Sequence, residues 1–136
     1  MTRSAARVLG TAASACWAAF ILALLLMPGS AVPRLPVWAS ELPIDKLVHA
    51  FLFFVQAYLL TFTRRAFAAA RLPRGSLALI CLATVAYGGL TELLQTATVD
   101  RTADVADFLF DASGVAVFAL GVLAFRKCKG YPSFDR

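Results

Sequence analysis

Apolar residues gather into four long runs, separated by links that hold most of the charge and proline. The runs cover about 8–27, 45–63, 76–97 and 105–125, and none alternates polar and apolar positions as a half-buried strand does. Each is about 20 residues long, and at about 1.5 Å per residue that length crosses a hydrocarbon core of about 30 Å. Inside a bilayer every backbone N–H and C=O must be paired within the protein, so such runs predict helices. A membrane barrel would need alternating strands of about ten residues, and none is visible. The predicted fold class is all-α: a polytopic membrane protein whose single domain, 1–136, is a four-transmembrane-helix bundle.

The first run has the outline of a signal peptide, with Arg3 and Arg7 before it and Gly29-Ser30-Ala31 after it. It exceeds the about 7–15 apolar residues of a signal h-region, which predicts an uncleaved first helix. Composition agrees with the membrane reading. The chain is 60% apolar and 15% charged, with a mean hydropathy of +0.76, whereas soluble domains are about 45–50% apolar and about 25% charged. Three cysteines form neither a disulfide framework nor a zinc spacing. Cys16 and Cys81 are expected as small packing residues, and Cys128 as a free thiol.

Charge sets the expected orientation. Arg3, Arg7, Arg64, Arg65, Arg71, Arg74, Arg126, Lys127, Lys129 and Arg136 fall on one side of the predicted membrane, and Arg34, Lys46 and Arg101 on the other. The positive-inside rule then places both termini, the 64–75 loop and the 126–136 tail in the cytoplasm, and the proline-rich 28–44 loop outside. Trp38 in that loop suits the headgroup level. The same partition accounts for a pI near 9.6 without nucleic acid, which is not an expected partner; the lipid bilayer is. Acidic residues show the reverse bias: Glu41, Asp45, Glu92, Asp100, Asp104, Asp107 and Asp111 belong to the outer half, and only Asp135 to the inner. Orientation does not require this, because acids contribute little to topology.

Three helices carry these polar groups as stripes. At about 100° per residue, Asp45, His49 and Gln56 lie within about 40° of one another on helix two. Gly88, Glu92 and Gln95 span about 60° of helix three, and Asp104, Asp107, Asp111 and Gly114 about 80° of helix four. His49, Glu92 and Asp111 fall roughly 6–10 Å below the outer helix ends. Unpaired carboxylates at that depth are costly, so they are expected to face the bundle, with Lys46, His49 and Arg101 as partners. Gly88 and Gly114 are expected to bring helices close at that level. A packing role suits some of these groups: Gln56, Gln95 and Asp104 as interhelical hydrogen bonders, Asp45 and Asp104 as N-caps, Asp100 and Glu41 as solvated loop charges.

Asp45-Lys46-x-x-His49, Glu92-x-x-Gln95 and Arg101-x-x-Asp104-x-x-Asp107-x-x-x-Asp111-x-x-Gly114, in that order, resemble the VanZ-like family of small bacterial membrane proteins. The resemblance covers Asp45 to about Gly121. It implies a multi-pass protein of the bacterial cytoplasmic membrane and a role in the cell envelope, the namesake being associated with low-level resistance to the lipid-bearing glycopeptide teicoplanin. It implies no established reaction. The family usually has Asn where this chain has Asp111, so the charge of its site does not transfer directly.

The expected functional site is Asp45, Lys46, His49, Glu92, Gln95, Arg101, Asp104, Asp107 and Asp111. The leading expectation is binding of an amphipathic envelope molecule, a polyprenyl-linked precursor or a lipoglycopeptide. Lys46 and Arg101 would meet its anionic part, and Glu92 and Asp107 would accept from sugar or peptide donors. No cofactor is expected, and no metal is assigned; Asp107, Asp111, Glu92 and His49 are the candidates should a divalent cation bind. One alternative is a membrane hydrolase or transferase acting on a lipid-linked phosphate or sugar, with His49 or Glu92 as acid or base. The sequence has no P-loop, Ser elbow or HExxH, so an enzyme is the less favoured reading. Another is a non-catalytic assembly partner docked on a larger envelope protein in the membrane.

Overall fold

The structure, a computed structural model, describes residues 2–28, 30, 44–68, 72, 75–98 and 102–129. Four helices follow in chain order: α1 Arg3–Leu25, α2 Ile44–Ala68, α3 Ser76–Gln95 and α4 Val105–Cys128. No strand occurs among the described residues. The ends differ from the apolar runs where local chemistry extends a helix. α1 begins at Arg3 because Thr2 caps it, its hydroxyl accepting from the Ala5 amide at 3.3 Å. α2 continues past Thr63 through Arg64 and Arg65, and α4 past Phe125 through Arg126 and Lys127. Arg and Lys are good helix formers, and their charge complements a helix C-terminus.

Side-chain contacts give the helix directions. Arg7 Nε donates to the Ala66 carbonyl at 3.3 Å and Trp17 Nε1 to the Leu52 carbonyl at 3.0 Å, so α1 and α2 are antiparallel. Tyr87 donates to Ala18 O at 2.7 Å and Gln95 Nε2 to Leu25 O at 3.0 Å, which makes α1 and α3 parallel. Phe54 meets Phe118 edge-on, with ring centroids 5.7 Å apart, in the parallel α2–α4 pair. The helices therefore run up, down, up, down. Arg3, Arg7, Arg64, Arg65, Arg126, Lys127 and Lys129 gather at one end of the bundle, and Asp45, Glu92, Asp104, Asp107 and Asp111 at the other.

The interior is inverted relative to a soluble protein. Phe53, Ile21, Val115 and Leu52 are buried, but so are Ser14, His49, Gln56, Thr84, Thr91, Glu92, Gln95 and Asp111. Leu79, Leu82, Leu93, Leu109, Leu120, Phe51 and Phe125 face outward. In water such a surface would be an aggregation site; in lipid it is the surface that belongs there. All four helices are long and apolar enough to cross a membrane, and the chain reads as a multi-pass membrane protein. Cys16 faces outward on α1 instead of packing inside, and Cys81 is only half-buried.

Small residues set the helix spacings, because lipid is as apolar as the bundle interior and close contact must supply the association. A Cβ on Gly10 would stand 2.8 Å from Thr63 Oγ1, where Ser14 and Thr63 share a hydroxyl hydrogen bond of 3.0 Å. A Cβ on Gly88 would stand 3.0 Å from Asp111 Oδ2. At Gly114 it would fall on the Ala50 carbonyl of α2. Gly88 and Gly114 thus provide the close approaches their places in the polar stripes predict.

Candidate functional site

The polar groups converge where the start of α2, the end of α3 and the start of α4 meet. Asp104 opens the arrangement. It is the N-cap of α4, its Oδ1 accepting from the Ala106 amide at 2.8 Å, as its position before an apolar run predicts. Its Oδ2 accepts from Lys46 Nζ at 3.1 Å, and Lys46 also donates to Asp107 Oδ1 at 2.9 Å. The first bond joins the cap of α4 to the first turn of α2, and the second reaches one helical turn inward.

Deeper in, His49 Nδ1 and Asp111 Oδ1 share a hydrogen bond of 2.9 Å, which an ionised carboxylate leaves the imidazole to donate. His49 Nε2 lies 3.7 Å from Asp107 Oδ2. The side chains become steadily less exposed along this path: Asp104 50%, Lys46 24%, Asp107 16%, His49 6% and Asp111 0%. A connected line of charged groups therefore leads from the bundle end to a sealed carboxyl. His49 and Asp111 stand about 7–9 Å along their helices from the first residues, Ile44 and Val105.

Glu92 approaches from α3. Its Oε2 accepts from the Asp104 backbone amide at 3.0 Å, while Oε1 is buried without a partner. Asp111 Oδ2 is likewise buried and unpartnered, and so is Gln56 Oε1 one turn below Leu52. One donor atom each from His49, Glu92 and Asp111 lie within 4.8 Å of one another. Buried polar atoms are nearly always paired in folded proteins, so Glu92 Oε1 and Asp111 Oδ2 stand out as open acceptors at this site.

Not every expected site residue joins. Gln95 turns away, its amide bonded to the last carbonyl of α1. It serves as a remote C-cap, which is the interhelical role its chemistry also allowed. Asp45 is exposed within the first turn of α2, not at its cap, where negative charge still complements the free amides. Arg101 lies outside the described residues, as do Glu41, Asp100, Trp38, Arg71 and Arg74.

An apolar groove of about 230 Å³ opens beside the cluster, between α3 and α4, lined by Gly89, Leu93, Val105 and Phe108 together with Glu92 and Asp104. Its apolar residues carry no polar signal in the sequence. The paired Gly88-Gly89 in α3 is the one hint, Gly88 leaving room for Asp111 and Gly89 for the Phe108 ring.

Asp104 makes the rim pH-sensitive. The Ala106 amide, and next the Lys46 ammonium, hold its carboxyl below the ordinary value of 3.8. A depressed carboxyl contributes stability above its unfolded pKa, and that contribution is lost as pH falls through the folded value. Asp104→Ala is expected to lower the thermal midpoint at pH 7 and to lower it less at pH 2. Circular-dichroism melts in detergent at the two pH values check this, and equal losses at both would contradict it.

The chain matches no family model, no curated protein and no solved structure.

Proposed function

We propose that this chain is a VanZ-like integral membrane protein of the bacterial inner membrane that binds an amphipathic envelope molecule, a polyprenyl-linked precursor or a lipoglycopeptide. The observation that carries the reading is the shared lining of two unlike surfaces. Glu92 and Asp104 belong both to the polar cluster, Glu92 at its buried part and Asp104 at its rim, and to the apolar groove beside it. A ligand with a hydrogen-bonding headgroup and an apolar tail satisfies both at once, the headgroup at Lys46, Asp104 and Asp107 and the tail against Gly89, Leu93 and Phe108. The gathering of Arg and Lys at the opposite end supports an orientation with both termini cytoplasmic, which puts the groove in the outer leaflet.

Native mass spectrometry of the detergent-purified protein tests this. Wild type is expected to carry a lipid-mass adduct. Gly89→Leu, which fills the groove and leaves the polar cluster intact, is expected to lose it, and Asp107→Asn to weaken it. A bare wild-type protein, or an adduct equally retained by all three, would overturn the proposal.

A further inference from the structure

We propose that His49, Glu92 and Asp111 form a binding site for a divalent transition-metal ion, zinc being the type case. Each comes from a different helix, and each is buried: His49 is 4% exposed, Glu92 5% and Asp111 0%. Three atoms mutually within 4.8 Å share a centre no more than about 2.8 Å from any of them, and zinc binds imidazole nitrogen and carboxylate oxygen at about 2.0–2.2 Å. Closing the remaining gap takes small side-chain rotations, with no helix movement. One imidazole with two carboxylates is a donor set that zinc accepts, and manganese and iron as well.

The unpartnered atoms favour an ion over a purely structural network. Glu92 Oε2 is held by the Asp104 amide, which leaves Oε1 free. Asp111 Oδ1 is shared with His49, and Oδ2 faces the stretch of α3 at Gly88, one turn from Glu92. A network built only for packing would have paired both oxygens, since each orphan carries its full desolvation cost. Charge points the same way. Among the described residues Lys46 is the only Lys or Arg at this end, and it is already bonded to Asp104 and Asp107. Among the described residues Glu92 and Asp111 have only His49 between them, and a divalent cation balances the pair.

The surroundings supply an outer shell. Histidine ligands almost always give their second nitrogen to a carboxylate or carbonyl, which fixes the ring. His49 Nε2 faces Asp107 Oδ2, and Asp107 is itself anchored by Lys46. His49 Nδ1 is then the nitrogen left to an ion, giving up its hydrogen bond to Asp111 for a ligand shared with the two carboxylates. Asp107 acts as a positioning residue for the ring.

The test uses the full chain in detergent, stripped with EDTA, repurified, and titrated with Zn²⁺ and separately with Co²⁺. We expect one ion per chain by elemental analysis after desalting, a raised thermal midpoint with Zn²⁺, and cobalt d–d bands of nitrogen–oxygen coordination without a thiolate charge-transfer band. Asp107→Asn is expected to weaken binding about 10–100-fold as an outer-shell change, and Glu92→Gln and Asp111→Asn more than that. A helical, monodisperse wild-type protein that retains no ion overturns the proposal. So does a thiolate signature, which would assign the metal to Cys16, Cys81 or Cys128, or affinity unchanged in a folded Glu92→Gln or Asp111→Asn. Loss of the ion in Gly89→Leu is not expected, so this site and the lipid groove stand or fall separately.

Discussion

Gly114→Ala is expected to destabilise the bundle by about 2 kcal/mol, whereas Gly121→Ala on the same helix is expected to be neutral or stabilising by up to about 1 kcal/mol. Both substitutions add one methyl group to α4 and improve its helix propensity by the same amount. They differ in what the methyl meets. At Gly121 nothing lies within 4 Å. At Gly114 it falls on the Ala50 carbonyl, with the Ala50 carbonyl carbon at 2.7 Å and its Cα at 2.9 Å. A side chain could rotate away; a helix backbone cannot, so α2 and α4 must separate. Forced overpacking costs about 1–3 kcal/mol, and a backbone obstacle belongs at the upper end, less the gain in propensity. The separation also reaches the polar cluster, since His49 precedes Ala50 and Asp111 lies one turn before Gly114. SDS-titrated unfolding in micelles, followed by circular dichroism, measures both variants. Equal behaviour would mean that α2 and α4 do not meet at this point.

His49→Leu is expected to cost about 3–5 kcal/mol, the range for removing one member of a buried hydrogen-bonded charge pair. Asp111 is fully buried, and His49 is its hydrogen-bond partner. Leucine fills much of the imidazole volume, so the loss reports the stranded carboxylate more than a cavity. Adding Asp111→Asn to His49→Leu should recover part of that loss, because the buried negative charge is gone while the side-chain shape is kept. The same unfolding titration, run as a double-mutant cycle, gives the coupling. If the double variant is less stable than His49→Leu alone, the pair is not the interaction that holds Asp111 in place.

The geometry distributes the polar residues from Asp45 through Asp111 unevenly. Lys46, His49, Glu92, Asp104, Asp107 and Asp111 come together. Helical-wheel angles foresee most of this, because one stripe per helix at one depth has few ways to avoid meeting its neighbours. They do not separate Glu92 from Gln95, which lie only about 60° apart on α3. Glu92 faces α4 and Gln95 faces α1, a division that depends on α3 standing between those two helices. The N-cap role of Asp104 is readable from its place before an apolar run. That of Asp45 is not, because α2 already begins at Ile44.

The sequence alone determines four helices of membrane-crossing length, their alternating order, and a basic end opposite an acidic one. A bilayer imposes length and complete backbone pairing on any spanning segment, so apolar runs and charged links carry that information directly. Only the tertiary structure decides the rotation of each helix and the depth at which neighbours touch. In lipid no difference in hydrophobicity drives one helix face inward, so these are set by close contacts such as Gly114 on Ala50 and Gly10 on Thr63. Those contacts bring Asp111 to His49, leave Oδ2 of Asp111 and Oε1 of Glu92 unpartnered, and open the groove beside Gly89.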